Sequence, residues 1–366
     1  MAAGQAKAVN YSFSDMGTIA LSSTTPVTVS DISNTGLMSA QQGTDSAFTS
    51  QNAGVFDGTH FTSAGSLPGG TVSAATSINA SGQTAGMIGY QPAQDLYQPT
   101  RWDNGVAVAL QKLSPDSWFS RAETINASGQ TAGYGFTDHW QASRWNADGS
   151  AQLLEALPGG SGAFVQGMND AGAMVGDSYT ANDDFDAATY WDAVGTIHQL
   201  PTLGGQNGWA TSINNLGQIT GYTTDADGNA IGVVWQDYLS APTALTLLPG
   251  YHGAIGADVN NLGQILGWAL DASDQGHLSL WENGVMTDLS ELLPADLAAQ
   301  GWSMGWYMQN INDSGVIAGG LSNSNGQLAA YMLTPTAVPV PGAAWLFGSA
   351  FAGLVGMKRR KQALAV

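Results

Sequence analysis

The chain has 366 residues, of which 43% are hydrophobic and only 10% are charged, and it contains 48 glycines and no cysteine. The lack of cysteine excludes disulfides, thiolate catalysis, Cys-ligated zinc and iron–sulfur clusters. All 28 acidic residues lie between residues 9 and 337, and this region has too few Lys and Arg residues for a nucleic-acid-binding protein.

The N-terminal segment, residues 1–8, ends in Ala6, Lys7 and Ala8, a pattern that fits a small-x-small cleavage site. The segment has neither the cationic start nor the apolar run of a signal peptide. We therefore interpret it as the remaining part of an export and processing segment. The strand predicted next, at residues 11–21, occupies the place of a fourth strand before the first hairpin. We therefore expect it to complete the last sheet of the fold.

A phrase with the pattern Ile-Asn-x-x-Gly-Gln then recurs along the chain, and nine consecutive residues are identical between 78–86 and 125–133. The glycines of the seven copies, spaced 43 to 52 residues apart, are Gly36, Gly82, Gly129, Gly172, Gly217, Gly263 and Gly315. Asn-x-x-Gly favours a type I turn followed by a left-handed glycine, which closes a bulged hairpin. Each copy is therefore predicted to be the inner hairpin of one repeat.

A third strand follows each hairpin and ends at an aromatic residue in six repeats, and a fourth strand leads to a connector such as Leu-Pro-Gly-Gly. The residues at this repeated position are Phe56, Trp102, Trp145, Trp191, Trp235, Trp281 and, in the seventh repeat, Leu333. Large aromatic residues at one repeated position usually pack in the core. Four short strands per repeat predict an all-β protein, a seven-bladed β-propeller with four-stranded blades.

Acidic residues cluster in the loops between the second and third strands and could supply oxygen ligands for Ca²⁺. The candidate ligands for the ion are Asp183, Asp184, Asp186, Asp225, Asp227 and Asn229. Aromatic residues in and after the connectors are expected on the same face, where they could stack on sugar rings or pack beneath the connectors. The candidates for binding a ligand are Trp118, Trp209, Trp302, Trp306 and Tyr307.

Beyond the last repeat, residues 343–357 carry no charge and are followed by a cluster of four cations. This pattern predicts a short hydrophobic helix that enters the membrane, with its basic end on the cytoplasmic side. The stretch resembles a PEP-CTERM sorting signal of the Val-Pro-x-Pro type. The matching residues are Val338, Pro339, Val340, Pro341, Trp345, Lys358, Arg359, Arg360 and Lys361.

The resemblance implies export in a Gram-negative-type bacterium, processing by an exosortase, and a location in the envelope, on the cell surface or in the matrix. The preceding repeats resemble the HAF-repeat family in their connectors, hairpins and Trp-containing strands, although the His-Ala-Phe tripeptide is absent. That family implies an extracellular propeller without assigned catalytic residues. The expected division of the chain is residues 1–8, the propeller 9–335, a Pro-containing linker 336–342, the hydrophobic segment 343–357 and a basic tail 358–366.

Two functional hypotheses follow. The first is a non-catalytic binding or structural protein of the cell surface or extracellular matrix, whose partner is a polysaccharide or another surface protein. The alternative is a Ca²⁺-dependent hydrolase or lyase acting on an extracellular polymer. No zinc-binding His pattern, nucleophile elbow or phosphate loop is present, and this favours the non-catalytic hypothesis.

Overall fold

The computed structural model describes residues 11–16, 25–43, 51–90, 96–181, 185–305 and 309–336. Within these ranges, the strands of each repeat form an antiparallel meander in which successive strands are neighbours. Inner strands of all seven repeats line a common axial cavity, so the repeats form a ring.

In each repeat the innermost strand comes first, and the later strands lie progressively farther from the axis. Repeat 1 contains β2 (Val27–Ile32), β3 (Met38–Gly43), β4 (Gln51–Phe56) and β5 (Phe61–Ser63). Repeat 2 contains β6 (Val72–Ile78), β7 (Thr84–Gly89), β8 (Tyr97–Asp103) and β9 (Val106–Ala109). Repeat 3 contains β10 (Phe119–Ile125), β11 (Thr131–Phe136), β12 (Trp140–Trp145) and β13 (Ala151–Leu153). Repeat 4 contains β14 (Ala163–Met168), β15 (Met174–Tyr179), β16 (Asp186–Trp191) and β17 (Ile197–Gln199).

The remaining repeats follow the same order. Repeat 5 contains β18 (Gly204–Ile213), β19 (Ile219–Asp225), β20 (Ala230–Trp235) and β21 (Thr243–Ala244). Repeat 6 contains β22 (Tyr251–Val259), β23 (Ile265–Asp271), β24 (Gly276–Glu282) and β25 (Val285–Asp288). Repeat 7 contains β26 (Trp302–Met304), β27 (Asn310–Ile311), β28 (Ile317–Asn323), β29 (Leu328–Pro335) and the N-terminal β1 (Tyr11–Asp15).

The predicted set of seven separate four-stranded blades is wrong. In the described residues, hydrogen bonds group the strands into five sheets of four or five strands and one sheet of eight. The eight-stranded sheet forms because the connector between repeats 2 and 3 brings Phe119 beside Tyr97 in a parallel bridge. The five-stranded sheet forms because two short strands, β26 and β27, stand where the other repeats have one inner strand.

The N-terminal strand closes the ring, as the sequence predicts. β1 pairs antiparallel with β29, with Tyr11 opposite Pro335 and Asp15 opposite Tyr331. The Tyr11 hydroxyl also donates a hydrogen bond to the Gly315 carbonyl at 2.9 Å. Strands from the two ends of the described chain are thereby joined in one sheet.

Glycine is required at two points of the repeat. The turn glycine is left-handed, with φ of +77° at both Gly82 and Gly129. The second glycine, in the second strand, lies against a bulge in the first strand, and a Cβ at Gly176 would lie 1.9 Å from the Phe164 carbonyl oxygen. These two constraints explain why both glycines recur at fixed spacing.

The asparagine of each hairpin links neighbouring repeats. In repeat 5, the Asn214 side-chain oxygen accepts the backbone N–H groups of Leu216 and Gln218, and its Nδ2 donates to the Asn260 carbonyl at 2.8 Å. The same side-chain bond to the next hairpin is made by Asn79, Asn126, Asn169, Asn260 and Asn312. Ser33 takes the asparagine position in repeat 1 and bonds within its own turn. The repeated phrase thus closes each turn and fastens it to its neighbour.

The repeated aromatic residues are core residues, as predicted. Those at the end of the third strand are at most 2% exposed, and Leu333 is completely buried. Each indole N–H also donates to a carbonyl in the preceding connector, for example from Trp145 to Gln111 at 2.7 Å and from Trp235 to Pro201 at 2.8 Å. The Trp residues therefore pack between sheets and also hold the connectors in place.

Helical structure is slight, with a 3-10 turn at Ser290–Leu292 and an α-helix, α1, at Ala295–Ala299. Both lie in the longest connector. In the part of the chain that the structure describes, no helix has the length and apolar character needed to span a bilayer. The predicted hydrophobic helix at 343–357, the whole sorting motif and the segment 1–8 lie outside the described residues.

Candidate functional site

The ring has two chemically different ends. One end carries the seven inner hairpin turns, six of them Asn-x-x-Gly and one Ser-x-x-Gly, together with the turns between third and fourth strands, and we call it the hairpin face. The opposite end carries the connectors and the loops between second and third strands, and we call it the mouth face. The antiparallel order of the strands requires this division, because alternate turns lie at the same end of a meander.

A cavity of about 290 Å³ runs along the axis and is lined by the innermost strands. Two half-buried residues with carboxylates, Asp31 and Asp258, lie in its wall. Asp31 accepts hydrogen bonds from the Ser77 hydroxyl and the Ile78 N–H, and Asp258 accepts one from the Ile311 N–H at 2.9 Å. Burial nevertheless raises the pKa of Asp31 to about 6. Both carboxylates join neighbouring repeats, so we assign them a structural role.

Three cross-strand pairs bring functional side chains together toward the mouth face. These pairs occupy one register position in repeats 3, 4 and 5, namely Arg121 with Tyr134, Phe164 with Asp177, and Trp209 with Tyr222. Opposite residues of an antiparallel pair project from the same side of the sheet. The second member always follows the close-packed glycine of the second strand, so the local fold fixes its position. We call these six residues, with Glu123, Gln166 and Asp186, the mouth cluster.

Asp177 is the most perturbed acid of the mouth cluster. It is 2% exposed, and within the described residues its Oδ1 has no hydrogen-bond partner. Burial, and then the charge of Asp186, raise the pKa of Asp177 to about 7, while a hydrogen bond from Gln166 acts in the opposite direction. The pKa of Asp186 is also raised by burial, and its carboxylate accepts a hydrogen bond from Trp209. Asp177 can therefore hold a proton near neutral pH.

An ion pair forms the opposite side of the mouth cluster. Arg121 Nε lies 2.8 Å from Glu123 Oε1, and the Tyr134 hydroxyl donates to the same carboxylate. Burial raises the pKa of Glu123 despite the guanidinium, and burial together with Glu123 raises the pKa of Tyr134 to about 12. This side of the mouth cluster offers a half-exposed cation, whereas the side near Asp177 is acidic.

A belt of aromatic rings extends from the mouth cluster. Phe164 contacts Tyr134 with a centroid distance of 5.0 Å and Trp140 at 5.5 Å. Trp140 contacts Phe136, which in turn contacts Trp118 at 5.7 Å. Trp118 is 43% exposed and Trp209 is 40% exposed, so the mouth face presents two accessible indoles. Flat rings beside acids and amides suit a ligand with both apolar faces and hydroxyl groups.

The predicted ligand-binding residues differ in their position and exposure in the structure. Trp118 and Trp209 lie on the mouth face as expected. Trp302, predicted on the same rim, is only 6% exposed and packs in the core between repeats 6 and 7. Trp302 is buried because it begins a strand, β26, that pairs with β28 and so becomes part of the sheet. Trp306 and Tyr307 lie outside the described residues.

The predicted calcium ligands do not form one group. Asp225 Oδ1 accepts the N–H groups of Asp227 and Asn229, both at 2.9 Å, so its carboxylate closes a hairpin turn. Asp186 belongs to the mouth cluster instead, and Asp183 and Asp184 lie outside the described residues. Throughout the described ranges, no group of three or more His, Asp or Glu side chains could hold a metal ion. The alternating Asp and Asn residues at 225–229 form a hairpin turn that is closed by the Asp225 carboxylate.

Four residues of this face, Tyr134, Trp140, Asp177 and Tyr222, are not among those predicted from the sequence. The sequence does contain a pattern that could have indicated this position. The residue after the second-strand glycine varies between repeats, whereas the hairpin residues before it recur. At this position the successive repeats carry Gln41, Met87, Tyr134, Asp177, Tyr222, Trp268 and Gly320. Variation at one fixed position of a repeat is expected where the scaffold is shared and the ligand contacts are not.

Comparison with solved structures shows the fold. The β-propeller domain of the Trilobed protease from Pyrococcus furiosus is similar, with a TM-score of 0.54, 11% sequence identity, and coverage of 86% of this chain and 99% of that one. This protein is a β-propeller. The Pyrococcus domain has an open velcro topology, whereas in this protein β1 joins the last sheet.

Two weaker similarities concern TolB from Acinetobacter baumannii and the acylaminoacyl peptidase from Pyrococcus horikoshii. TolB has a TM-score of 0.46 and 12% identity, covering 81% of this chain and 76% of that one. The peptidase has a TM-score of 0.48 and 12% identity, covering 81% of this chain and 50% of that one. No family model matches the sequence, and no curated protein matches it.

Proposed function

We propose that this propeller is a non-catalytic glycan-binding protein of the cell surface or extracellular matrix, with its binding site on the mouth face. The observation that carries the proposal is the placement of two exposed indoles on the mouth face, where Trp209 donates a hydrogen bond to Asp186 near the buried Asp177 and Trp118 extends the aromatic belt. Indole rings supply flat apolar surfaces for sugar rings, and carboxylates and amides accept and donate hydrogen bonds to hydroxyl groups.

The test is titration calorimetry with a panel of soluble neutral and charged polysaccharides. For a polysaccharide that binds, Trp209→Ala should weaken affinity by about tenfold, equivalent to about 1.4 kcal/mol. Trp118→Ala should weaken binding by a similar or smaller factor. Leu216→Ala, which alters an exposed side chain on the hairpin face, is the matched control and should leave affinity unchanged. Equal affinity of all variants and the wild type would place the site elsewhere.

The alternative is a hydrolase or lyase acting on the bound polymer, and one observation favours it. Asp177 keeps a proton near neutral pH beside the second carboxylate of Asp186, which is the arrangement that a general acid needs. Release of new reducing ends or unsaturated sugars, lost in both Asp177→Asn and Asp186→Asn, would establish catalysis. Stoichiometric binding without product supports the binding protein.

Export and sorting form a separate part of the proposal, supported by the residues that resemble a sorting signal at 338–361. We expect an exosortase to process this segment after export to the envelope. Deletion of residues 338–366 should move the protein from the envelope fraction to a soluble fraction of the host. Unchanged fractionation would contradict the sorting role while leaving glycan binding untouched.

A further inference from the structure

Large exposed hydrophobic side chains are segregated between the two faces. The two aromatic ones, Trp118 and Trp209, belong to the mouth face. Most of the aliphatic ones lie in or beside turns at the opposite end, and they are Val106, Val194, Leu216, Leu239, Leu262 and Val285. Single exposed aliphatic residues are ordinary on protein surfaces. Six such side chains at one end of the ring are more than isolated exposed residues and suggest a shared function.

Two of these leucines, Leu216 and Leu262, lie on adjacent hairpins. Leu216 is 69% exposed and Leu262 is 66% exposed, and each occupies the tip of its Asn-x-x-Gly turn. The turns are held together by a hydrogen bond from the Asn215 N–H to Asn261 Oδ1 at 2.7 Å. Asn261 Nδ2 in turn donates to Asp313 in the hairpin of repeat 7, at 2.8 Å. The hairpins of repeats 5, 6 and 7 are therefore linked in an arc, and the first two carry a leucine at the tip.

The described chain ends at that same hairpin. Pro335 closes β29 and lies against Gly315, where an added Cβ would be 3.2 Å from the proline Cγ. Tyr11, at the start of β1, also bonds to Gly315. The described chain therefore ends on the hairpin face, and residues 337–366 follow in the sequence. They contain the uncharged run at 343–357 and the cations at 358–361.

The tether is short. A stretch of six residues, 337–342, spans at most about 20 Å even when fully extended. If residues 343–357 enter a bilayer, as their composition predicts, the hairpin face must stay close to the lipid headgroups. Asp313 and Asp170, acids of the inner hairpins on this face, accept hydrogen bonds from Asn34 and Asn215. Asp192, Asp237 and Glu282, in the outer turns of the same face, also accept hydrogen bonds. The leucine tips project beyond this hydrogen-bonded ring.

We propose that the hairpin face is a lipid-facing surface, which lies on the bilayer that receives residues 343–357 and places Leu216 and Leu262 in its interfacial layer. The mouth face is thereby turned away from the membrane and toward soluble or matrix-borne ligands. The occupant is a zwitterionic lipid surface, because the acidic body of the protein is repelled by anionic headgroups. The inference rests on the predicted C-terminal membrane segment and is independent of glycan binding.

The lack of cysteine makes a direct test possible. The full chain is reconstituted in phosphatidylcholine vesicles after a single cysteine, Leu216→Cys or Leu262→Cys, has been labelled with an environment-sensitive nitrobenzoxadiazole dye. Both labels should emit at shorter wavelength with vesicles, and nitroxide-bearing lipids should quench them. Leu153→Cys, which replaces a 52% exposed leucine on the outer strand β13, is the matched control. Asp138→Cys reports on the mouth face. Neither control label should be quenched.

Each other outcome overturns the proposal. Failure of the full chain to float with the vesicles would show that the protein does not engage lipid. Quenching at residue 138 but not at 216 and 262 would give the opposite orientation. Equal quenching at all four positions would show contact without a preferred face. A concentration-dependent spectral shift at residue 216 without vesicles, and no lipid quenching, would show that a second copy covers the hairpin face.

Discussion

At the hairpin face, successive repeats place the same side chain at the same point, an asparagine in six repeats and Ser33 in the first. At the mouth face, the residue that follows the second-strand glycine differs in every repeat except for the two tyrosines, Tyr134 and Tyr222. The hairpin asparagines form hydrogen bonds that a ring needs at each junction between repeats. The mouth residues form few such bonds, and Asp177 even keeps an oxygen unpaired within the described part of the chain. The hairpin residues that hold the ring together are therefore the same in most repeats. The mouth-face residues that are available for a ligand vary between repeats.

The largest expected effect concerns the mouth face. Because the pKa of Asp177 is raised from 3.8 to about 7 in the folded protein, the folded state binds a proton that the unfolded chain has lost between these pH values. Stability should therefore fall as pH rises from about 4 to about 7 and change no further above that. Asp177→Asn removes this penalty and should stabilise the protein relative to wild type by up to about 4 kcal/mol at pH 8.

Urea unfolding of both proteins at pH 4 and pH 8 measures this difference. Other acids, such as Asp31, titrate in both proteins. Their contributions therefore cancel when the unfolding free energy of the wild type is subtracted from that of the variant. Asp148→Asn, in an exposed turn of repeat 3, is a suitable control because its carboxylate caps that turn and its pKa is lowered. An Asp177→Asn variant with the same pH dependence as wild type would contradict the assignment of the buried proton.

A smaller effect is expected at the hairpin face. Asn214→Ala removes two hydrogen bonds donated by Nδ2 and two accepted by Oδ1 at a buried position, and should cost about 2 to 3 kcal/mol. Asn214→Ser, which copies the residue of repeat 1, should cost about half as much, since a hydroxyl can still satisfy its own turn. Chemical denaturation measures both variants, and a loss below about 0.5 kcal/mol for Asn214→Ala would show that the ring does not depend on this contact.

The smallest effect should come from the exposed leucines. The double substitution Leu216→Ser and Leu262→Ser changes two largely exposed side chains, so stability should change by less than about 0.5 kcal/mol. Affinity for a glycan should also be unchanged, because the mouth cluster lies at the other end of the ring. Thermal unfolding and calorimetry check the two statements, and a large loss of either property would mean that the two faces are not separable.

Much of the fold could be predicted from local constraints. The turn glycines are left-handed, the third-strand Trp residues are buried, and β1 joins the last sheet. Each of these features corresponds to a residue type or strand at a fixed position of the repeat. The candidate site could be predicted only in part. Trp118 and Trp209 are recognisable because they stand in connectors, whereas the prediction for Trp302 is wrong because pairing of β26 with β28 buries it.

Sequence alone determined that a hairpin unit repeats seven times and that the ring closes with its N-terminal strand, because short-range turn chemistry and core packing impose one spacing. Only the tertiary structure decided that repeats 2 and 3 share one sheet, since a single bridge between Phe119 and Tyr97 depends on how the connector packs. It also decided which residues meet at the mouth. Asp177 and Asp186 approach each other through the paired strands β15 and β16 of repeat 4, and Trp209 joins them only when repeats 4 and 5 stack around the axis.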